Sequence, residues 1–386
     1  MYGTTGPRKK PPRKTAQAVA AFPGINTAHT KRMHDALLLT TSAGIAGTRF
    51  PMRRDAARPR IMPSHINAAI SAATVVHAQT VEGTIALPGL PEQLAVNPFH
   101  DRIYVAVPNF GAEPYDYLTV VNGKTATVTK NIEIPPIAYA VAVDLSNGLV
   151  YVGGSYQDAD GVTQNEVVAV DPERGCVLKT ISLSNTQGSG VQGLAVNSFN
   201  GDVYVANGSD NEVDVIHRFK VKDRIPTSGV PYGVAVNPFI NTIYVSLLNG
   251  NVSVISGRTN TVTLTTPFGT SDAGIAVELG SGKVFAANSV GLPSSGSVGV
   301  LNRAGDLETT ISVGNFPLGI DVDFITHLVF VANSGDNTVS VVNGRTAAVT
   351  STLPVSGLFL AVNPVTEKVY VAPATNIPAL TVISEK

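Results

Sequence analysis

The sequence predicts an all-β chain, a seven-bladed β-propeller of four-stranded blades closed by an N-terminal strand that completes the last blade. Three observations lead there. A strand with an aromatic anchor recurs seven times, its anchors from Tyr104 to Tyr370 spaced by 47, 53, 40, 41, 45 and 40 residues, a spacing of blade length. Charged residues make up 14% of the chain and tryptophan is absent, against about 25% charge in an ordinary soluble domain. Few charges with many Gly and β-branched residues suit buried strands joined by tight turns. Finally, a strand without a partner precedes the first unit, and the last unit lacks one.

The first 78 residues read differently from the rest. They hold 12 of the 27 Lys and Arg residues but only Asp35 and Asp55 of the 28 acids, a net of +10, which leaves 15 basic and 26 acidic residues and a net of −11 beyond Ala78. Residues 1–60 show no sustained period and read as disordered or as an extension upstream of the true start. Met52-Arg53-Arg54, with Arg58 and Arg60, precedes an apolar run from Ile66 to Val76 and a small-residue site, Val76-His77-Ala78. Positive charge, a short apolar segment and small residues in that order predict a secretory signal peptide over about 52–78, and hence a periplasmic or extracellular protein. The run is too short to span a bilayer. Ala36 to Ala46, after Lys31-Arg32, is a weaker second choice. The propeller is expected over 79–386.

Within each unit the innermost strand comes first: Leu94-Ala95-Val96-Asn97, Val141-Ala142-Val143-Asp144, Leu194-Ala195-Val196-Asn197, Val234-Ala235-Val236-Asn237, Ile275-Ala276-Val277-Glu278, Ile320-Asp321-Val322-Asp323 and Leu360-Ala361-Val362-Asn363. Turn dipeptides such as Asn97-Pro98 and Asn237-Pro238 lead to the anchor strand, for example Val203-Tyr204-Val205-Ala206. A third strand (Thr338 to Val342) and a fourth (Ala348 to Leu353) follow across Asn343-Gly344. The seventh unit ends at Thr381-Val382-Ile383-Ser384 with three strands, and Val81 to Leu87 resembles the missing fourth. Pairing the two would remove an open edge.

Units such as Val329-Phe330-Val331-Ala332-Asn333-Ser334-Gly335-Asp336-Asn337-Thr338 resemble the YVTN-type β-propeller repeat family, whose Tyr-Val-Thr-Asn stretch Tyr204-Val205-Ala206-Asn207 approximates. The resemblance spans about 81–386 and is specific for fold. It implies a range of functions, since similar proteins include exported binding proteins, surface proteins, a periplasmic type that binds single-stranded DNA, and more distant lactonase-like enzymes. The Trp-Asp signature of WD40 blades and the double Gly of kelch repeats are missing.

Residues that recur in register serve the architecture, so a site is sought among the departures. Asn109, Asn207, Asn288 and Asn333 recur and read as turn residues. Alignment on the innermost strands puts Glu92, Tyr139, Gln192, Tyr232, Ala273, Leu318 and Leu358 at the channel mouth. This ring is mostly apolar and aromatic, and it lacks the three or four convergent ligands a metal-dependent lactonase or lyase needs. Asp321 takes a place held by Ala in six blades; if those side chains face the channel, it is a lone acid able to hold a cation or polar group. Asp158 and Asp160, in a blade-two insertion, read as a hairpin tip because Gly161 falls too early for a calcium loop. Phe110, Tyr115 and Tyr117 of blade one cover the sheet end or stack on a base or sugar. Arg218, Lys220, Lys222 and Arg224 fall on one strand face at period two, a stripe for an anionic partner or a charged edge. His100, His217 and His327 are isolated in sequence, and Cys176 reads as a small buried hydrophobe. No Gly-x-Ser-x-Gly or His-Glu-x-x-His motif occurs.

The sequence therefore favours a non-catalytic exported propeller, monomeric and without a cofactor, that presents a rigid face to a protein, glycan or small ligand. A lactonase-like or lyase-like enzyme with a site around Asp321 and Glu92 is the alternative. A single-stranded nucleic-acid binder comes third, disfavoured by the acidic body.

Overall fold

The computed structural model describes residues 79–109, 115–289 and 295–385. Their strands form seven four-stranded antiparallel sheets, each running in chain order from the channel to the rim, except the sheet that joins the two ends. The innermost strands are Leu94–Asn97, Ala140–Val143, Val191–Asn197, Pro231–Asn237, Asp272–Val277, Pro317–Asp323 and Phe359–Asn363. Each contacts the innermost strand of both neighbouring blades, so the ring closes. In blade seven the strand Thr80–Ala86 takes the outer place beside Ala379–Ser384, with Thr84 opposite Thr381 and Ile85 opposite Leu380. The expected closure is therefore the observed one.

The aromatic anchors hold neighbouring blades together. Phe330 packs on Leu360, Val362, Val369 and Val371 of blade seven, while Val329 and Val331, on the opposite face of the same strand, pack on Phe285 of blade five. Tyr204 meets Ile243 and Val245 of blade four in the same way, and Tyr370 meets Ile103 and Val105 of blade one. Strand alternation thus assigns the anchor to one seam and its β-branched neighbours to the other. Burying each anchor contributes on the order of 1.5–3 kcal/mol.

Two repeated devices shape the ends and the rim. Where the innermost strand turns into the second, its last side chain accepts a backbone N–H two residues on: Asn97 from Phe99 (3.1 Å), Asn197 from Phe199 (3.1 Å), Asn363 from Val365 (3.1 Å). The residue closing this turn is left-handed, as at Asp101, Asn241, His327 and Glu367, or is Gly148, Gly201 or Gly282. Every outer strand then carries a β-bulge. The skipped Thr129, Thr263 and Thr350 fold their hydroxyls onto the carbonyls of Val120 (3.0 Å), Val254 (3.1 Å) and Val341 (3.1 Å). In blades three, five and seven the skipped residue is charged and forms an ion pair: Lys222 with Asp202 (3.3 Å), Glu308 with Lys283 (3.7 Å), Glu82 with Lys368 (2.7 Å).

Cys176 departs from expectation. It opens the outer strand of blade two, Cys176–Ser184, and is exposed. Outer strands bury only one face against the next blade, so a small apolar residue at their start reaches solvent.

Candidate functional site

The antiparallel order gives the ring two unlike faces. Connections entering the innermost strands, with those between second and third strands, lie on one face; the other two sets of turns lie opposite. The channel contains a cavity of about 320 Å³, lined by Gln93 and by residues of the innermost strands that include Tyr232, Leu318, Asp321 and Phe359.

At the end where the innermost strands begin, the ring residues come together. The Tyr139 hydroxyl lies 3.4 Å from the Tyr232 hydroxyl, and the Tyr139 ring stands edge-on to Phe359 with centroids 6.2 Å apart. Tyr139 belongs to blade two, so its partners come from the non-adjacent blades four and seven and its side chain reaches over the channel. Gln93 donates from Nε2 to the Gln192 carbonyl (2.7 Å) and from its backbone N–H to the Tyr139 carbonyl (3.2 Å). The Gln192 side chain in turn donates to the Ser189 carbonyl. Burial raises the Glu92 carboxyl above its ordinary value. Both tyrosines are also raised, by burial first, with the Glu92 charge as a further cause. Their hydroxyls are therefore protonated donors at neutral pH, beside one carboxylate that can ionise.

Asp321 borders the channel cavity, with its side chain turned toward a blade seam. It sits opposite the anchor Phe330, as Ala361 sits opposite Tyr370, so its side chain leaves the strand on the face toward blade seven. There its carboxylate accepts the backbone N–H of Val322 (2.8 Å) and, across the seam, of Val362 (2.9 Å). Burial pushes its pKa up to about 6 despite these bonds. The side chain borders the cavity, but its oxygens serve the seam.

The blade-three stripe is broken by the bulge. Residue pairing passes from Ile216↔Val221 to Val215↔Asp223 and skips Lys222, while Arg218 and Phe219 lie in the left-handed turn before the strand. Arg218, Lys220, Lys222 and Arg224 are exposed, but two of them are committed within the blade. Lys222 pairs with Asp202. Arg224 pairs with Glu212 (2.7 Å) and Asp214 (3.1 Å) and donates to the Leu183 carbonyl (2.7 Å). Period two holds only for an unbulged strand, and the bulge has no composition signal of its own.

The other motifs resolve into local structure. Asp158 closes its hairpin by accepting from Val162 N–H (2.9 Å), Asp160 N–H (3.0 Å) and Gln164 (2.8 Å). Tyr115 and Tyr117 stack edge-on at 5.5 Å, and Phe110 lies outside the described residues. Asn207 and Asn333 are buried and donate to Asp214 (2.9 Å) and Ser340 (2.9 Å) on the third strand. His217 pairs with Asp202 (2.7 Å), and His327 with Glu278 across the seam of blades five and six. Sequence reasoning missed Gln93 and Phe359 at the mouth, because both lie one place off the aligned ring. It also missed a buried pair at the seam of blades six and seven. There Asp323 accepts from Ile325 and Thr326 N–H (2.6 and 3.0 Å), and Glu385 accepts from the Thr326 hydroxyl (3.0 Å). Burial raises both carboxyls; the nearby Asp323 charge lifts Glu385 further, well above the usual carboxylate range, and the Glu367 charge adds to the rise at Asp323. No group of three or more His, Cys, Asp or Glu able to share a metal ion exists among the described residues.

Comparison with known proteins supports the architecture. A solved structure of Kuenenia stuttgartiensis hydrazine synthase superposes with a TM-score of 0.62 at 17% identity, over 77% of this chain and 95% of that one. The likeness is one of fold. Because 1639 solved chains match, shape alone assigns no activity. No protein-family profile and no curated protein sequence matches the chain.

Proposed function

We propose that this chain is an exported, non-catalytic propeller of the YVTN type that binds a small polar ligand, or a polar side group of a glycan or protein, at the channel mouth. The observation that carries the reading is the meeting of the Tyr139 and Tyr232 hydroxyls over the channel, 3.4 Å apart. Two protonated hydroxyls, a shielded carboxyl at Glu92 and the rings of Tyr139 and Phe359 offer convergent donors, one acceptor and apolar walls. A few fixed polar groups on an apolar concavity are the usual make-up of a small-molecule site. Asp321 spends its oxygens on the Val322 and Val362 N–H groups, and the cavity it borders is not lined by Glu92, which weighs against the shared site of the lactonase-like alternative.

A thermal-shift screen of neutral sugars, amines and amino acids tests the reading. A ligand that raises the melting temperature of the wild type, and loses that effect in both Glu92→Gln and Tyr232→Phe, supports it. Ligands whose shifts survive both substitutions, or turnover of a ligand at the mouth, would refute it.

A further inference from the structure

The two faces of the ring differ in charge far more than the composition suggests. Six successive turns between third and outer strands each carry one basic residue: Lys124, Arg174, Arg218, Arg258, Arg303 and Arg345. On the opposite face, the connections entering the innermost strands and those between second and third strands contain no Lys or Arg at all, and they include Glu92, Asp158, Asp160, Asp210 and Asp336. The first of these faces also carries Asp101, Asp144, Glu173, Glu278, Asp306 and Glu367 in its connections, but of these acids only Glu173 and Asp306 are exposed, so its exposed turn residues are net basic on a body of net charge −11 beyond Ala78.

Recurrence in register normally signals architecture, but all six basic side chains are exposed. Arg174, the one with a carboxylate partner on its own turn, is still 76% exposed beside Asp171. Inside this basic ring, on the same face, the turns leaving the innermost strands of blades one to four raise apolar tips into solvent. Phe99 is 42% exposed, Leu145 40%, Phe199 63% and Ile240 39%. Phe199 and Phe239 meet edge-on at 5.2 Å, the Leu145 N–H donates to the Ser198 hydroxyl (3.0 Å), and Phe99 and Leu145 line one surface hollow, so the four turns follow one another as an arc. The turns share one construction, in which Asn97, Asp144, Asn197 and Asn237 each accept an N–H two residues on.

We propose that this turn face docks on anionic lipid bilayers. Phe199 and its neighbours in the arc enter the boundary between headgroups and acyl chains, and the basic ring lies against lipid phosphates. An apolar arc inside a ring of exposed basic residues matches the layered chemistry of a bilayer surface. A soluble polyanion would engage the ring and leave the arc exposed to water. The mouth site lies at the opposite end of the channel, so this face stands or fails without it.

The test is co-sedimentation of the full chain with phosphatidylcholine vesicles with and without phosphatidylglycerol. Binding to the phosphatidylglycerol vesicles alone, weakened by salt, is expected. Lys124→Gln/Arg174→Gln/Arg218→Gln/Arg258→Gln should lower the affinity on the order of several hundred-fold at low ionic strength, at roughly fivefold per charge. Leu145→Ser/Phe199→Ser should lower it at least roughly tenfold. Because the chain has no tryptophan, Phe199→Trp reports directly, and its emission should shift to the blue on anionic vesicles. Three results would each overturn the proposal. One is wild-type binding by both multiple variants, which would place the affinity in the basic N-terminal region. Another is binding that the charge variant loses, heparin competes for and Phe199→Trp fails to sense, which would make the partner an acidic polymer. The last is no binding to either vesicle.

Discussion

Replacing Asp321 with the alanine found at that place in the other six blades should destabilise the protein more in acid than at neutral pH. In the fold the carboxylate accepts two backbone N–H groups, 2.8 Å and 2.9 Å away, and burial raises its pKa from 3.8 to about 6. A carboxyl with a raised folded pKa favours the folded state when protonated. Its contribution is complete below the unfolded value and declines as pH climbs through the folded one, here between 3.8 and about 6. The rise of roughly two units is worth about 3 kcal/mol at about 1.4 kcal/mol per unit. At pH 7 the cost of desolvating the charge offsets much of what its two hydrogen bonds supply, so Asp321→Ala should cost only about 1 kcal/mol. Near pH 4 the loss should grow by up to about 3 kcal/mol. Urea midpoints for both proteins across pH 4 to 7 measure this. A penalty that stays constant, or shrinks on acidification, would refute the placement of Asp321 in the seam.

Three further outcomes follow from the packing. Glu385→Gln, which cannot ionise, should melt higher than the wild type at pH 8 with the advantage fading toward pH 5, since Glu385 has a raised carboxyl whose stabilising form is lost as pH rises; an equal advantage at both values would disprove the raised carboxyl. Arg224→Ala should cost about 1–2 kcal/mol by leaving the buried Asp214 unpaired, discounted for the exposure of the arginine, whereas Lys222→Ala should cost under about 1 kcal/mol. Chemical unfolding distinguishes the two, and equal costs would count against the bulged register. The exposed Cys176 should react with a thiol reagent in the native protein as fast as after unfolding, and protection in the native state would contradict its position.

Much of this fold was legible because each blade states it again. The aromatic anchors and the strand ends at Asn97, Asn237 and Asn363 gave number, order and register, and the orphan strand at Val81 gave the closure. The mouth ring was legible as a set of equivalent positions. That Tyr139 leans across to Tyr232 and Phe359 was not, because periodicity places a Cα and leaves the reach of a long side chain open. Asp321 was recognised as the odd residue in its column and does border the channel cavity, but the bonds of its oxygens across the seam were not legible. Its orientation depends on sharing a strand face with Phe330, which only the pairing register reveals. The stripe from Arg218 to Arg224 failed for a related reason, since a single skipped residue, Lys222, reverses the alternation. The pairs Glu278–His327 and Asp323–Glu385 join residues far apart in the chain and leave no local signal.

The pore lining, the mouth cluster and the division into two faces all depend on the first strand completing the seventh blade. A Thr84→Cys/Thr381→Cys variant on a Cys176→Ser background tests it most directly, because the two threonines are paired across that strand junction at a Cα separation that antiparallel neighbours share with disulfides. Oxidation should give a crosslink within one chain, detected by mass spectrometry of the proteolysed monomer, and a higher urea midpoint than the reduced form. Free thiols under the same conditions, or crosslinks only between chains, would contradict the closure.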